Sequence, residues 1–212
     1  MKYEYLVFDL DGTISDPKDG IVRSVNFALE SHGFEHRSEN EICTFIGPPL
    51  DVAFSSLTES SDSKLISSLI AKYRERYSDI GYSENSLYNG ITEALKVLSS
   101  TQGIKLGICT SKRVDFAERI LELFSLRQHF SFVNGGDVGI EKWQQLGSLI
   151  EQGEISHQSV MIGDRYVDLT AAHKNHLKSA GVLWGYGSHT ELSQHEPAHI
   201  FSSPCELEGL AA

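Results

Sequence analysis

The sequence predicts an α/β protein: a parallel β-sheet core with an all-helical segment inserted near its start. Three observations predict it. Short apolar runs of strand length alternate with helical periodicities across residues 89–212. Another apolar run, residues 3–8, stands apart from these at the front of the chain. Between the two lie about 75 residues with helical patterns and no convincing strand, far too many for a loop. Residues 1–14 and 89–212 are therefore assigned to the core, and residues 15–88 to the insertion.

The first strand runs through "YLVF" and stops on Asp9-Leu10-Asp11-Gly12-Thr13. Its apolar residues are continuous rather than alternating, as in a strand covered on both faces. In the insertion, Ile21, Val25, Ala28 and Leu29 share a helical face, with Pro17 near its start and Gly33 past its end. Ser38 and Glu41 have capping-box spacing. Leu50, Ala53, Phe54 and Leu57 form a second face, and Ile66, Leu69, Ile70, Tyr73 and Tyr77 a third. The core resumes with strands expected at residues 104–109, 131–136, 159–164 and 179–187. Helical spacing of Val114, Ala117, Ile120, Leu121 and Phe124, and of Leu146, Leu149 and Ile150, fills the crossovers.

Composition narrows the function classes. The 212 residues are 40% hydrophobic and 22% charged, as in a globular protein with a real core. Eighteen Lys and Arg against 29 Asp and Glu give a net charge of −11 and a pI near 5.2. That balance argues against nucleic acid or an anionic membrane as the main partner. The three cysteines, Cys43, Cys109 and Cys205, are far apart and form no C-x-x-C pair, so neither a disulfide framework nor a zinc knuckle is indicated. No apolar stretch is long enough for a signal peptide or membrane span, and a reducing cytoplasm is the expected compartment.

Ligands of open parallel sheets bind beyond the carboxyl ends of the strands. Those ends here read Asp9–Thr13, Thr110-Ser111-Lys112 and Gly163-Asp164, with Asp168 four residues later. Asp9 and Asp11 are two apart, so in an extended chain they point the same way. At an effective dielectric of 20, unit charges about 4 Å apart repel by roughly 4 kcal/mol. An ordinary turn needs one Asp, not two. An EF-hand loop also fails: its sixth position falls on Ile14 rather than Gly and its twelfth on Gly20 rather than Glu. Thr110, Ser111 and Lys142 are weak signals alone, since hydroxyls commonly end strands and most lysines are solvated. An Asp pair at i and i+4 on a helix, as expected for Asp164 and Asp168, requires a compensating cation. His32 and His36 have metal-ligand spacing, but Gly33 lies between them.

In this order the residues resemble the haloacid dehalogenase superfamily of phosphotransfer enzymes. DLDGT looks like its first motif, CTSK its second and GDRYVD its fourth. Glu141-Lys142-Trp143 stands where the family's third motif usually has Lys-Pro, which places the third-motif lysine at Lys142 by position. The insertion is similar to the small helical cap of one branch. FIGPPL and VLWGYGS look most like phosphoglycolate phosphatases and related 5′-nucleotidase-like phosphatases. The resemblance implies a Rossmann-like core and Mg²⁺-dependent hydrolysis of a small phosphorylated metabolite by a monomer or homodimer. It makes Asp9 the nucleophile, Asp11 the general acid and base, and Lys142 the stabiliser of phosphoryl charge. Thr110, Ser111, Gly12 and Thr13 then bind the phosphate. Asp9, Asp11 (through its carbonyl), Asp164 and Asp168 hold the metal, and Gly47 and Pro48 form the loop that probes the leaving group. Two further readings stand beside it: a sugar phosphomutase, which would share Asp9 and Asp11, and a non-catalytic phospho-accepting switch of the receiver type, which needs neither a large helical insertion nor a second acidic strand end.

Overall fold

The strand with the longest unbroken apolar run lies mid-sheet, where both of its faces are covered. In the computed structural model, which describes residues 3–211, β1 (Tyr5–Phe8) pairs in parallel with a strand on either side. The element β2 (Ser15–Asp16) follows the acidic turn. The insertion supplies α1 (Lys18–Ser31), α2 (Glu39–Cys43), α3 (Leu50–Leu57) and α4 (Ser63–Asp79), and returns through β3 (Ser86–Leu87). The core continues with α5 (Ile91–Ser100), β4 (Lys105–Thr110), α6 (Val114–Leu123), β5 (Phe130–Gly135) and α7 (Lys142–Glu151). It ends with β6 (Ser159–Gly163), α8 (Tyr166–Lys174), β7 (Lys178–Val182), α9 (His189–Ser193) and β8 (His199–Phe201). Strand order is β5-β4-β1-β6-β7-β8, parallel throughout.

The alternation of side chains along each strand splits the core into two layers. Leu6, Phe8, Leu106, Ile108, Val160 and Ile162 point to one face, against Leu95 and Leu98 of α5 and Ile120 and Leu121 of α6. Val7, Cys109 and Met161 point to the other, against Leu146 and Leu149 of α7 and Ala171 and Ala172 of α8. Burial pushes the Cys109 thiol up to about 12, consistent with a small apolar filler rather than a reactive group. The inserted helices have their own apolar cluster, with Val25, Leu29, Phe54, Leu69 and Tyr77 all nearly inaccessible, joined by Phe116 from α6.

Three expectations need correction. The insertion is not strand-free: β2 and β3 pair antiparallel, Ser15 opposite Leu87 and Asp16 opposite Ser86, where the chain leaves the core and returns. Two residues carry no periodicity, so nothing local announced them. The edge strand β8 was also unforeseen, because "HIF" is three residues long and follows a proline-containing turn. The expected strand 179–187 closes at Val182, and the glycine-rich remainder turns out of the sheet. Within the insertion, the Ser38 hydroxyl accepts the Glu41 amide at 3.3 Å, half of the capping box foreseen. No helix among the described residues is long and apolar enough to cross a membrane.

Candidate active site

Beyond the carboxyl ends of β1, β4 and β6, the structure brings Asp9, Asp164 and Asp168 together. One carboxylate oxygen from each lies within 4.8 Å of the others, and none of the three residues is more than 1% exposed. Asp9 continues the ladder of β1: its amide donates to the Ile162 carbonyl at 2.8 Å. Its Oδ1 accepts from the Leu10 amide at 2.8 Å and its Oδ2 from Lys142 Nζ at 3.0 Å. Lys142, 5% exposed at the first turn of α7, also pairs with Asp168. Burial opposes the lysine charge, but Asp168 and Asp9 outweigh it and hold Lys142 above the ordinary lysine range.

The compensating cation expected for Asp164 and Asp168 is thus found for Asp168 alone. The two are not a helical i, i+4 pair either. Asp164 precedes α8, while Asp168 sits in its first turn and accepts the Arg165 amide at 3.1 Å. Burial raises the Asp168 carboxyl to about 6 against the pull of Lys142. Burial, then Asp168 and Asp9, push Asp164 well above the usual carboxylate range. Arg165, the nearest basic residue in sequence, pairs with Glu191 instead. Three buried carboxylates against one buried ammonium leave negative charge uncompensated, which suits an oxygen-liganded divalent cation. Mg²⁺ fits the all-oxygen donor set of Asp9, Asp164 and Asp168.

Gly12 and Thr13, expected on the phosphate, lie against Asp164 of the acidic cluster. The amide of Gly12 donates to the Ser15 carbonyl at 2.8 Å and that of Thr13 to the Leu10 carbonyl at 3.3 Å, so neither is free for an anion. The Thr13 hydroxyl donates to Asp164 Oδ1 at 3.4 Å. Gly12 has φ +81°, and a Cβ there would stand 2.2 Å from Asp164 Oδ2. The loop after β7 closes the other side: the Tyr186 amide donates to Asp164 Oδ2 at 2.7 Å and Trp184 Nε1 to the Thr13 carbonyl at 3.0 Å.

Asp11 opens onto a cleft between the sheet edge and the inserted helices. Its walls include Asp9, Thr110, Ser111 and Lys112 from the core, and Ile42, Phe45, Gly47, Pro48 and Tyr77 from the insertion. Asp11 Oδ1 is buried without a hydrogen-bond partner, while Oδ2 is 2.9 Å from Lys112 Nζ. Burial, more than any neighbour, raises the Asp11 carboxyl, and Lys112 opposes it. Lys112 also donates to the Tyr77 hydroxyl at 2.7 Å, a contact between β4's end and α4 that sequence reading had missed. Arg165 was missed too. Its Nη1 donates to the carbonyls of Thr44, at 3.2 Å, and Ile46, strapping the Gly47-Pro48 loop onto the core. Both lysine and arginine lie inside the motifs TSK and GDRYVD, but the partners they reach across the cleft, Tyr77, Thr44 and Ile46, are more than 30 residues away.

This sheet order, with acidic strand ends beneath the inserted helices, defines an α/β architecture that gathers three buried carboxylates at one edge of a parallel sheet. The sequence profile of the haloacid dehalogenase-like hydrolases matches residues 6–182. The chain belongs to this family and is an enzyme of its phosphatase class. It is 36% identical over 203 residues to the 5′-nucleotidase of Pseudomonas aeruginosa, covering 94% of this chain and 91% of that one. It is 30% identical over 215 residues to the phosphoglycolate phosphatase of Vibrio parahaemolyticus, covering 95% and 93%. The crystal structure of "a predicted phosphatase" from Clostridium acetobutylicum superposes with a TM-score of 0.92 at 33% identity, covering 99% and 98% of the two chains.

Proposed function

We propose that the chain is a phosphomonoester hydrolase that works through an aspartyl-phosphate on Asp9 and acts on a small phosphorylated metabolite. Asp9 attacks phosphorus in line, and the bond from phosphorus to the ester oxygen breaks. Asp11 gives its proton to that departing oxygen. Asp11 then takes a proton from water as the water attacks phosphorus, which breaks the Asp9–phosphorus bond and frees inorganic phosphate. Lys142 and the hydroxyls of Thr110 and Ser111 hold the phosphoryl oxygens. A bound Mg²⁺ supplies electrostatic stabilisation of the same charge. Residues 15–88 serve as a cap that excludes bulk water and meets the leaving group.

One observation carries this reading. Asp11 shares the cleft with Asp9, is raised by burial toward the protonated form, and keeps one oxygen free of any partner. An acid that must first donate and then accept a proton needs such an atom. Phosphoglycolate is the leading substrate, supported by the Vibrio relative; a nucleoside 5′-monophosphate is the second reading, supported by the Pseudomonas relative. Both reactions release inorganic phosphate, whereas a phosphomutase would return the phosphoryl group to its substrate. A phosphate-release screen across a metabolite panel, with Mg²⁺ present, tests the proposal. Absence of phosphate from every ester in the panel rejects it.

A further inference from the structure

Three basic side chains line the cleft: Lys112, Arg113 and Arg74. Lys112 is committed to Asp11 and to the Tyr77 hydroxyl. Arg113 is committed to Asp115, with Nε at 2.9 Å and Nη2 at 3.0 Å from its two oxygens. Arg74, on α4, is different. It spends Nη2 on Asp137 Oδ1 at 2.5 Å, while its Nε is buried with no acceptor. A guanidinium offers a fork of five donors suited to two-point contact with a carboxylate or phosphate, and Asp137 leaves that fork incomplete.

Asp137 itself is the exchangeable partner. Its side chain is half exposed, against 26% for Arg74. Its Oδ1 also accepts the neighbouring Val138 amide at 2.7 Å, so it keeps a partner when the arginine turns away. An exposed carboxylate returned to water loses little. The cleft that Arg74 lines is largely apolar, with Ile42, Phe45, Leu50, Tyr73 and Phe116 among its walls. In such surroundings an anion gains more from a guanidinium than it does at an open surface.

We propose that Arg74 determines the specificity of the cleft, selecting phosphate compounds whose leaving group carries a second negative charge. Asp137 occupies the guanidinium in the empty cleft and yields it to that second anion. This rests on the phosphatase reading and narrows it. The leaving group is acidic, a carboxylate or another phosphate, rather than an uncharged nucleoside.

The test uses the full chain with Mg²⁺ and four substrates. Phosphoglycolate carries a carboxylate on the leaving group and pyrophosphate a phosphate; phenyl phosphate and a nucleoside 5′-monophosphate carry neither. The wild-type protein should favour at least one of the first pair by kcat/KM, and which one identifies the anion. Arg74→Ala should lower the ratio of that kcat/KM to the value for phenyl phosphate by tenfold or more, mainly through KM. Arg74→Lys, which keeps the charge but loses the fork, should recover part of the ratio. Asp137→Asn should maintain or raise it. Equal losses on all substrates overturn the proposal, as does a wild-type preference for the uncharged leaving groups. So does an Asp137→Asn variant that behaves like Arg74→Ala in both kinetics and Tm, since the pair would then be a strap between layers. Failure to release phosphate from either acidic substrate, with turnover of other esters retained, overturns this proposal alone; failure on every ester of the metabolite panel overturns the phosphomonoesterase reading as well.

Discussion

On the sheet side of the cleft, Asp9, Asp164, Asp168 and Lys142 are buried, and their polar atoms meet other buried polar atoms of the core. On the helical side, Ile42, Phe45, Pro48 and Leu50 present apolar surface, and the charged residue there, Arg74, has an unused donor. The first wall is over-determined: each group is held by several others, and the glycines around Asp164 leave no room for a methyl group. The second wall is under-determined, awaiting something that the chain does not itself provide. The difference teaches how labour is divided. Chemistry common to all phosphate esters requires fixed charge in a fixed place, whereas choice among esters requires contacts left open for the leaving group.

The comparison is tested most severely at Asp9. Asp9→Asn keeps the shape of the residue and removes the proposed nucleophile, so turnover of every ester should fall about a thousandfold or more. Circular dichroism and Tm should stay near wild type. Retained turnover of even one ester would show that the sheet wall is not shared chemistry. Gly12→Ala is the next largest. Its Cβ falls 2.2 Å from Asp164 Oδ2 at a φ of +81°. Displacing that carboxylate should cost about a hundredfold in kcat, irrespective of substrate. Denaturant titration should show about 2 kcal/mol of lost stability.

On the other wall, Gly47→Val should lower kcat/KM about tenfold for the favoured substrate, or roughly 1.4 kcal/mol, and less for phenyl phosphate. The structure sharpens this test, because Gly47 has φ +111° and its Cβ would meet Arg165 Cγ at 3.0 Å. Losses that are equal on both substrates would assign the loop to docking through Arg165 rather than to selection.

The last expected effect is on stability rather than turnover. Burial holds Asp11, Asp164 and Asp168 above the usual carboxylate range, Asp168 to about 6. Groups that bind protons more tightly when folded stabilise the metal-free protein at low pH, and that stability is lost as pH rises through their folded values. Mg²⁺ competes with those protons. The stabilisation by a fixed concentration of Mg²⁺, read as a rise in Tm, should therefore grow from about pH 5 to about pH 7, and is about 2.7 kcal/mol where that concentration is one hundred times Kd. A rise that shrinks over this interval would mean the carboxylates do not hold the metal. Replacing Mg²⁺ with Ca²⁺ should preserve a Tm rise but support little turnover, because the larger ion takes more ligands.

Most of the sheet was legible because strand and helix periods repeat over enough residues to be read locally. The four strands β1, β4, β5 and β6 and the helices α1, α3, α4, α6 and α7 lie where the apolar spacing puts them. The ribbon Ser15–Asp16 with Ser86–Leu87 was not legible, since two residues have no period and the partners are 70 residues apart or more. Nor were the roles of Gly12 and Thr13. Their spacing suggests a curl around an anion, but the turn they form satisfies its own amides.

What the sequence determined by itself is the placement of acidic and hydroxyl side chains at the ends of three apolar strands. Covalent order and the period of a strand suffice for that, because a parallel sheet directs all its carboxyl ends to one edge. Tertiary structure alone decided which charge answers which. Lys142 reaches Asp9 and Asp168, Lys112 joins Asp11 to Tyr77, Arg165 holds the carbonyl of Ile46, and Arg74 meets Asp137. Each pair spans 26 residues or more, and an ion pair is a matter of a few ångströms that only the packed layers can set.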